Sequence, residues 1–124
     1  MRKLIGVYNA NGGFAGEIAY FFGHLIGIQS CTLCDVTHSP VRKKSQWRDL
    51  EQRLQDDLGY QIVLVHKNER TPEQQLASAG REPCVLIEDD EGQLSMIMDW
   101  NDLKLSKGDV TTFEKILRSK LLMY

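Results

Sequence analysis

The chain has 124 residues and carries 15 Lys and Arg against 17 Asp and Glu, a net charge of -2. A chain of this size is expected to form one core, so we predict a single domain spanning residues 1–124. Hydrophobic residues make up 42% and charged residues 26%, which is typical of a globular protein. The balanced charge argues against a protein that coats nucleic acid. No apolar run approaches the roughly 20 residues that cross a bilayer, which argues against a membrane protein.

The amino terminus and the cysteines favour a cytoplasmic location. The first apolar run is interrupted by Asn9 and Asn11 before it reaches the length of a signal peptide. The three cysteines are Cys31, Cys34 and Cys84, and an odd number with one close pair is not a secreted disulfide framework. In a reducing compartment such a pair binds metal, exchanges electrons or simply packs.

The first half of the chain predicts one strand and two helices. The apolar run Leu4–Tyr8 predicts a buried strand, and the glycines after it predict a turn. A helix ending at Gly27 is predicted by apolar residues spaced three and four apart, namely Phe14, Ile18, Phe21, Phe22 and Leu25. Residues 28–44 are predicted to be irregular. A second helix, ending at Gly59, is predicted by Trp47, Leu50, Leu54 and Leu58.

The second half predicts three strands and two helices. The run Gln61–His66 predicts a strand buried on both faces. Thr71–Gln74 has the pattern of a capping box, and the helix that it starts is expected to end at Gly80. Cys84–Glu88 predicts a strand, followed by a turn and a partner strand with alternating Leu94, Met96, Met98 and Trp100. The last helix is expected to start at Asp109 or Thr111 and to bury Phe113, Ile116, Leu117 and Leu121.

This order of elements resembles the thioredoxin-like fold, whose core has the order strand–helix–strand–helix–hairpin–helix. The resemblance implies an α/β fold with a mixed four-stranded sheet and flanking helices. It also implies a cis proline before the hairpin, where Glu82-Pro83-Cys84 stands. One feature departs from the family: its Cys-x-x-Cys pair directly follows the first strand, whereas Cys31 and Cys34 come after the predicted first helix. The family's dithiol mechanism is therefore not transferred by position.

The segment around the cysteine pair is the first candidate site. Cys31, Cys34, His24 and His38 supply two thiols and two imidazoles, a sufficient ligand set for tetrahedral zinc. Cys-x-x-Cys lets two sulfurs reach one ion from a tight turn, and His38 could approach from the next turn. The alternative is that both cysteines are small buried hydrophobic residues.

A redox role needs only the two thiols as catalytic residues. Cys31 would attack and Cys34 would resolve, with His38, Arg42 or Lys43 lowering a thiol pKa. The basic run at 42–44 is otherwise expected to be a solvated surface, because it lacks the interleaved aromatic residues of a nucleic-acid site.

The glycine-rich loop after the first strand is the second candidate site. Backbone N–H groups at a strand-to-helix turn can bind a small anion. The alternative is that the turn itself requires the glycines. If the thioredoxin-like resemblance holds, a rim for a small ligand is formed by Asn9, Asn11, Gly12, Gly13, Pro83 and Cys84. Cys84 could there act as an acidic thiol, or fill the core as most cysteines that open a strand do.

The sequence therefore favours a small cytoplasmic thiol or zinc protein that uses the Cys31–Cys34 segment. The alternatives are a non-catalytic interaction domain and an anion-binding protein that uses the glycine-rich loop. Neither a substrate nor a partner follows from the residues, and whether the protein is an enzyme stays open.

Overall fold

The computed structural model describes residues 2–9, 33, 37–39, 42–43 and 45–124, with only the backbone given for 38–39 and 42–43. The helix predicted to end at Gly27 lies outside the described residues. The same is true of the predicted site residues His24, Cys31, Cys34, Asn11, Gly12 and Gly13.

The described residues form six strands and four α-helices. The strands are β1 (Arg2–Val7), β2 (His38–Ser39), β3 (Arg42–Lys43), β4 (Tyr60–Val65), β5 (Cys84–Glu88) and β6 (Leu94–Met98). The α-helices are α1 (Ser45–Arg53), α2 (Pro72–Ser78), α3 (Trp100–Ser106) and α4 (Val110–Met123). Leu54–Leu58 forms a π-helical extension of α1, and Lys67–Glu69 forms a 3₁₀ turn after β4. None of the described helices is long and apolar enough to cross a membrane.

Four strands form a mixed sheet in the order β4-β1-β5-β6, which confirms the predicted α/β class and sheet type. β1 pairs in parallel with β4 and antiparallel with β5, and β5 pairs antiparallel with β6. The two-residue strands β2 and β3 pair with each other, His38 opposite Lys43. The prediction that 28–44 is irregular is therefore wrong for these four residues.

Side chains along β1 alternate between two apolar clusters on opposite faces of the sheet. The main core lies on the face of Leu4 and Tyr8, where it includes Leu33, Trp47, Leu50, Leu54, Ile62, Ile87, Met98, Phe113 and Leu117. The second cluster lies on the face of Ile5 and Val7, with Cys84, Leu86 and the half-buried Val65, Ala77, Leu94 and Met96. Because the two clusters lie on opposite faces of the sheet, a site residue that packs in one cluster does not contact a site residue that packs in the other.

The predicted second helix exists, but its apolar stripe is shorter than expected. Trp47, Leu50 and Leu54 are buried, whereas Leu58 is 41% exposed. The buried stripe ends at Leu54, where the π-helical stretch begins, and Leu58 is the last residue of that stretch, directly before Gly59. Gly59 ends the helix with φ 71°, a left-handed conformation that glycine adopts without steric cost.

The strand predicted to be buried on both faces is β4, and that burial prediction is wrong. β4 takes the first position in the described sheet, Gln61 is exposed, and Val63–Val65 are only half-buried. An apolar run alone does not distinguish a central strand from a strand at the end of a sheet.

The capping box of α2 and the β5–β6 hairpin are confirmed. Thr71 Oγ1 accepts from the backbone N–H of Gln74 at 3.1 Å, and Gln74 Oε1 accepts from the backbone N–H of Thr71 at 3.0 Å. The last helix is also confirmed, with Asp109 as its cap and Phe113 and Leu117 buried.

The predicted alternation from Leu94 to Trp100 is wrong at its end. A β-bulge shifts the register between Val85 and Leu86, so Met96 contacts the second cluster while Ile97 and Met98 both belong to the main core. Trp100 is half-exposed and starts α3. This helix was missed, although Asp99 and Asp102 form a capping box that starts it.

Candidate functional site

Leu33, the residue between Thr32 and Cys34, packs on the sheet over a glycine of β1. Leu33 is fully buried in the main core. A Cβ atom built on Gly6 would lie 3.2 Å from Leu33 Cδ2 and 2.8 Å from Leu64 Cδ2. Gly6 therefore provides the space in which Leu33 and Leu64 approach the sheet, since any larger residue would displace them.

Thr37, four residues after Leu33, also contacts this end of the sheet. Its hydroxyl lies 2.7 Å from the hydroxyl of Tyr8, the residue that directly follows β1, and both residues are buried. Leu33 and Thr37 both have helical backbone and are four residues apart, the spacing of one helical face. Cys34 thus lies in the chain between two residues that contact β1 or the residue directly after it.

Tyr8 joins this contact to a histidine at the end of the neighbouring strand. The backbone N–H of Tyr8 donates to the Val65 carbonyl at 2.9 Å, and the rings of Tyr8 and His66 have centroids 4.9 Å apart. Because β1 and β4 are parallel, their carboxyl ends meet at one edge of the sheet, which brings Tyr8 beside His66.

A carboxylate orients the His66 ring. His66 Nδ1 donates to Glu69 Oε1 at 2.7 Å, and the backbone N–H of His66 donates to the same oxygen at 2.8 Å. These two hydrogen bonds, the backbone one first, lower the pKa of Glu69. We call Tyr8, Thr37, His66 and Glu69 the tyrosine cluster. Sequence reasoning missed His66 as a site residue, although the His-x-x-Glu spacing after a strand was visible.

Of the predicted metal ligands, His38 is described by its backbone alone. It directly follows Thr37 and pairs with Lys43 in the β2–β3 hairpin. Among the described residues no group of three or more His, Cys, Asp or Glu side chains could hold a metal ion. That search leaves the predicted zinc ligands untested, because His24, Cys31 and Cys34 are outside the described residues.

Cys84 is on the other face of the sheet. It pairs with Val7, is fully buried, and packs in the second cluster, opposite the face that Leu33 and Tyr8 contact. Burial, with a smaller contribution from Glu82, raises the pKa of Cys84 to about 12. These findings do not favour the acidic, nucleophilic thiol that was considered for Cys84 and match its role as core filling.

The segment before Cys84 is held by a buried ion pair. Arg70 Nη1 donates to Glu82 Oε2 at 2.5 Å and to Ser78 Oγ at 3.1 Å, and Arg70 Nε donates to the Lys67 carbonyl at 2.9 Å. The Arg70 and Glu82 side chains are 9% and 7% exposed. We call Arg70, Ser78 and Glu82 the arginine cluster.

The predicted ligand rim is only partly described. Pro83 is buried and the Glu82–Pro83 peptide bond is cis, as the thioredoxin-like resemblance implied. Asn9 is exposed just beyond β1. Whether Asn9, Pro83 and Cys84 bind a ligand stays a prediction.

Comparison with known proteins gives no relative of this chain. No protein-family model, no curated protein and no solved structure matches it.

Proposed function

We propose that this chain is a cytoplasmic zinc-binding protein with a thioredoxin-like fold. The ion would be held by thiolates and imidazoles of the Cys31–His38 segment, with Cys31, Cys34 and His38 as ligands and His24 as a further candidate. Its role would be to fasten the segment in one conformation, which requires no turnover.

The order and pairing of the described elements support the fold. β1, α1, β4, α2, the β5–β6 hairpin and α4 follow one another in the order of the thioredoxin-like core, with α3 added before α4. The parallel β1–β4 pair is connected through helix, and the antiparallel hairpin completes the sheet. Pro83 stands directly before β5, at the place of the family's cis proline.

The contacts of Leu33 and Thr37 carry the functional proposal. Two residues that bracket Cys34 are fully buried against the end of β1. Residues three apart share a helical face, so in a helical segment Cys31 and Cys34 would be neighbours, with Cys34 at the edge of the side that Leu33 and Thr37 bury. Two neighbouring thiols beside residues that are fixed against the sheet favour metal binding, because the segment then loses less conformational entropy when the ion binds.

Metal analysis of protein purified without a tag tests this proposal. We expect about one zinc per chain in the wild type and its loss in the variant that combines Cys31→Ser with Cys34→Ser. Cys84→Ser is the matched control. Since Cys84 lies on the opposite face of the sheet, this variant should keep its metal.

Two other results would replace the proposal. Zinc-free protein with a Cys31–Cys34 reduction potential in the range of cellular dithiols, about -270 to -120 mV, would indicate thiol–disulfide exchange. If the double serine variant had unchanged metal content and unchanged stability, the segment would be ordinary packing and the domain an interaction module.

A further inference from the structure

The outer edge of β4 presents backbone groups that no described residue pairs. β4 stands at one end of the described sheet, where its strand partner is β1. The carbonyl of Val65 accepts from the backbone N–H of Tyr8 at 2.9 Å, so residue 65 directs its backbone groups toward β1. Because the backbone groups of successive strand residues point to opposite sides, those of Ile62 and Leu64 point away from β1. Within the described part of the chain, no backbone group bonds them across that edge.

β4 also lacks the features that keep most edge strands from adding a further strand. Its six residues include no charged side chain and no proline, and its register with β1 is unbroken from Tyr60 to Val65. The strand at the other end of the described sheet, β6, has five residues, and a bulge breaks its pairing with β5 between Val85 and Leu86. Charges, prolines and bulges are the usual protection of a sheet edge. Of the two edges, β4 is therefore the one suited to strand pairing.

The residues beside the two ends of β4 carry opposite charges. Asp57, which also bonds Arg118, is 52% exposed before the strand, and Lys67 follows the strand. Leu58, directly after Asp57, is 41% exposed although it is a large apolar residue. If a second β4 lies antiparallel with Ile62 opposite Ile62, Asp57 of each chain comes level with Lys67 of the other. A parallel second strand would instead bring like charges together, so the charges favour an antiparallel copy of the same strand.

We propose that β4 is a dimer interface, at which it pairs antiparallel with β4 of a second copy about a two-fold axis through Ile62. In this register the outward backbone groups of Leu64 meet those of Tyr60, and those of the two Ile62 residues meet each other. A two-fold interface is self-complementary, so each chain supplies both the acidic and the basic end. The two four-stranded sheets then continue into one another. This inference is independent of the proposed zinc site, because it uses only β4 and the residues beside it.

Sedimentation equilibrium of the whole chain tests the proposal, and we expect a dimer that dissociates on dilution. Gln61 is exposed, and in the proposed register it lies opposite Val63 of the other chain. Gln61→Lys places a charge against an apolar side chain at two symmetric positions, so it should weaken dimerisation about 10-fold. Gln75→Lys is the matched control. It makes the same charge change at an exposed residue of α2, away from the edge, and should leave dimerisation unchanged.

A disulfide experiment reports the register of the two strands. Positions 61 and 63 of opposite chains form a non-hydrogen-bonded pair, whose Cα atoms are about 4.5 Å apart, within the range of a disulfide. A mixture of Gln61→Cys and Val63→Cys chains should therefore form a disulfide between these positions on mild oxidation, as identified by mass spectrometry of the linked peptides. Positions 61 of the two chains are diagonal neighbours about 7–8 Å apart, so Gln61→Cys alone should not link to itself.

Two results overturn the proposal. If the wild type is monomeric at every concentration, β4 does not pair with a second copy, and an extended peptide of another protein is the occupant to test next. If the wild type dimerises but Gln61→Lys, folded as judged by circular dichroism, dimerises as well and the mixture forms no disulfide between positions 61 and 63, the dimer uses another surface.

Discussion

The arginine cluster and the tyrosine cluster both stabilise loops around the sheet, but they differ in how completely their polar groups are used. Arg70 and Glu82 are almost fully buried, and the guanidinium donates to a carboxylate, a hydroxyl and a carbonyl. In the tyrosine cluster His66 and Glu69 are 24% and 49% exposed, and His66 uses one ring nitrogen for Glu69. The polar groups of the arginine cluster are paired with one another and hold the chain before β5, whereas those of the tyrosine cluster are more exposed to solvent.

The largest expected effect concerns Cys84, next to the arginine cluster. With its pKa raised to about 12 from the ordinary 9, the folded thiol at pH 8 should hold about a thousandfold less thiolate than an exposed cysteine. In the background of Cys31→Ser with Cys34→Ser, the native protein should react with a disulfide reagent at least that much more slowly than the urea-unfolded chain. Rapid labelling of the native protein would show that Cys84 is reachable from solvent.

The same raised pKa gives a stability change at alkaline pH. The unfolded chain releases the Cys84 proton near pH 9, while the folded protein keeps it until about pH 12. Its contribution to the free energy of unfolding is thus complete below pH 9 and is lost between pH 9 and 12. Urea midpoints in the double serine background should fall over this range, and Cys84→Ala should reduce the slope.

Removing one partner of the arginine cluster should be severely destabilising. Arg70→Met leaves the Glu82 carboxylate buried without its cation, which typically costs about 3–5 kcal/mol in the free energy of unfolding. The exposed pair of Arg53 with Glu114 supplies the control, since Arg53→Met should cost about 1 kcal/mol or less. Combining Arg70→Met with Glu82→Gln should recover part of the lost stability. If Arg70→Met unfolds at the same urea concentration as the wild type, the Arg70–Glu82 pair does not stabilise the fold.

A smaller effect is expected for the hydroxyl contact of the tyrosine cluster. Tyr8→Phe removes the buried hydrogen bond to Thr37, which should lower the free energy of unfolding by about 1 kcal/mol. A double-mutant cycle with Thr37→Val measures the coupling. Strictly additive losses from the two substitutions would mean that this contact does not hold the segment.

The sequence correctly predicted elements whose limits are marked by nearby residues. Thr71 and Gln74 form the capping box that they predicted, Cys84–Glu88 is the predicted strand, and Gly59 ends the second helix. At these two helix ends one residue satisfies backbone groups or relieves a steric conflict, so the information is local.

Two burial predictions failed where a helix or a strand departs from its regular periodicity. The residue types do not reveal that departure. The buried stripe of the second helix ends at Leu54, where the π-helical stretch begins, and the bulge in β6 places Met98 on the opposite face from Met96. The tyrosine cluster was missed for a different reason, because Tyr8 and His66 become neighbours only through the parallel pairing of β1 and β4. The zinc ligands themselves stay predictions.

Gly6 determines how closely Leu33 can approach the sheet. The single hydrogen atom at position 6 determines how deeply the Leu33 methyl groups can descend onto β1. A series of increasing volume, Gly6→Ala and then Gly6→Val, would lift Leu33 by successive steps while leaving every proposed ligand chemically intact. If the chain binds zinc as proposed, we expect this series to change the metal affinity by displacing Leu33, although position 6 supplies no donor atom.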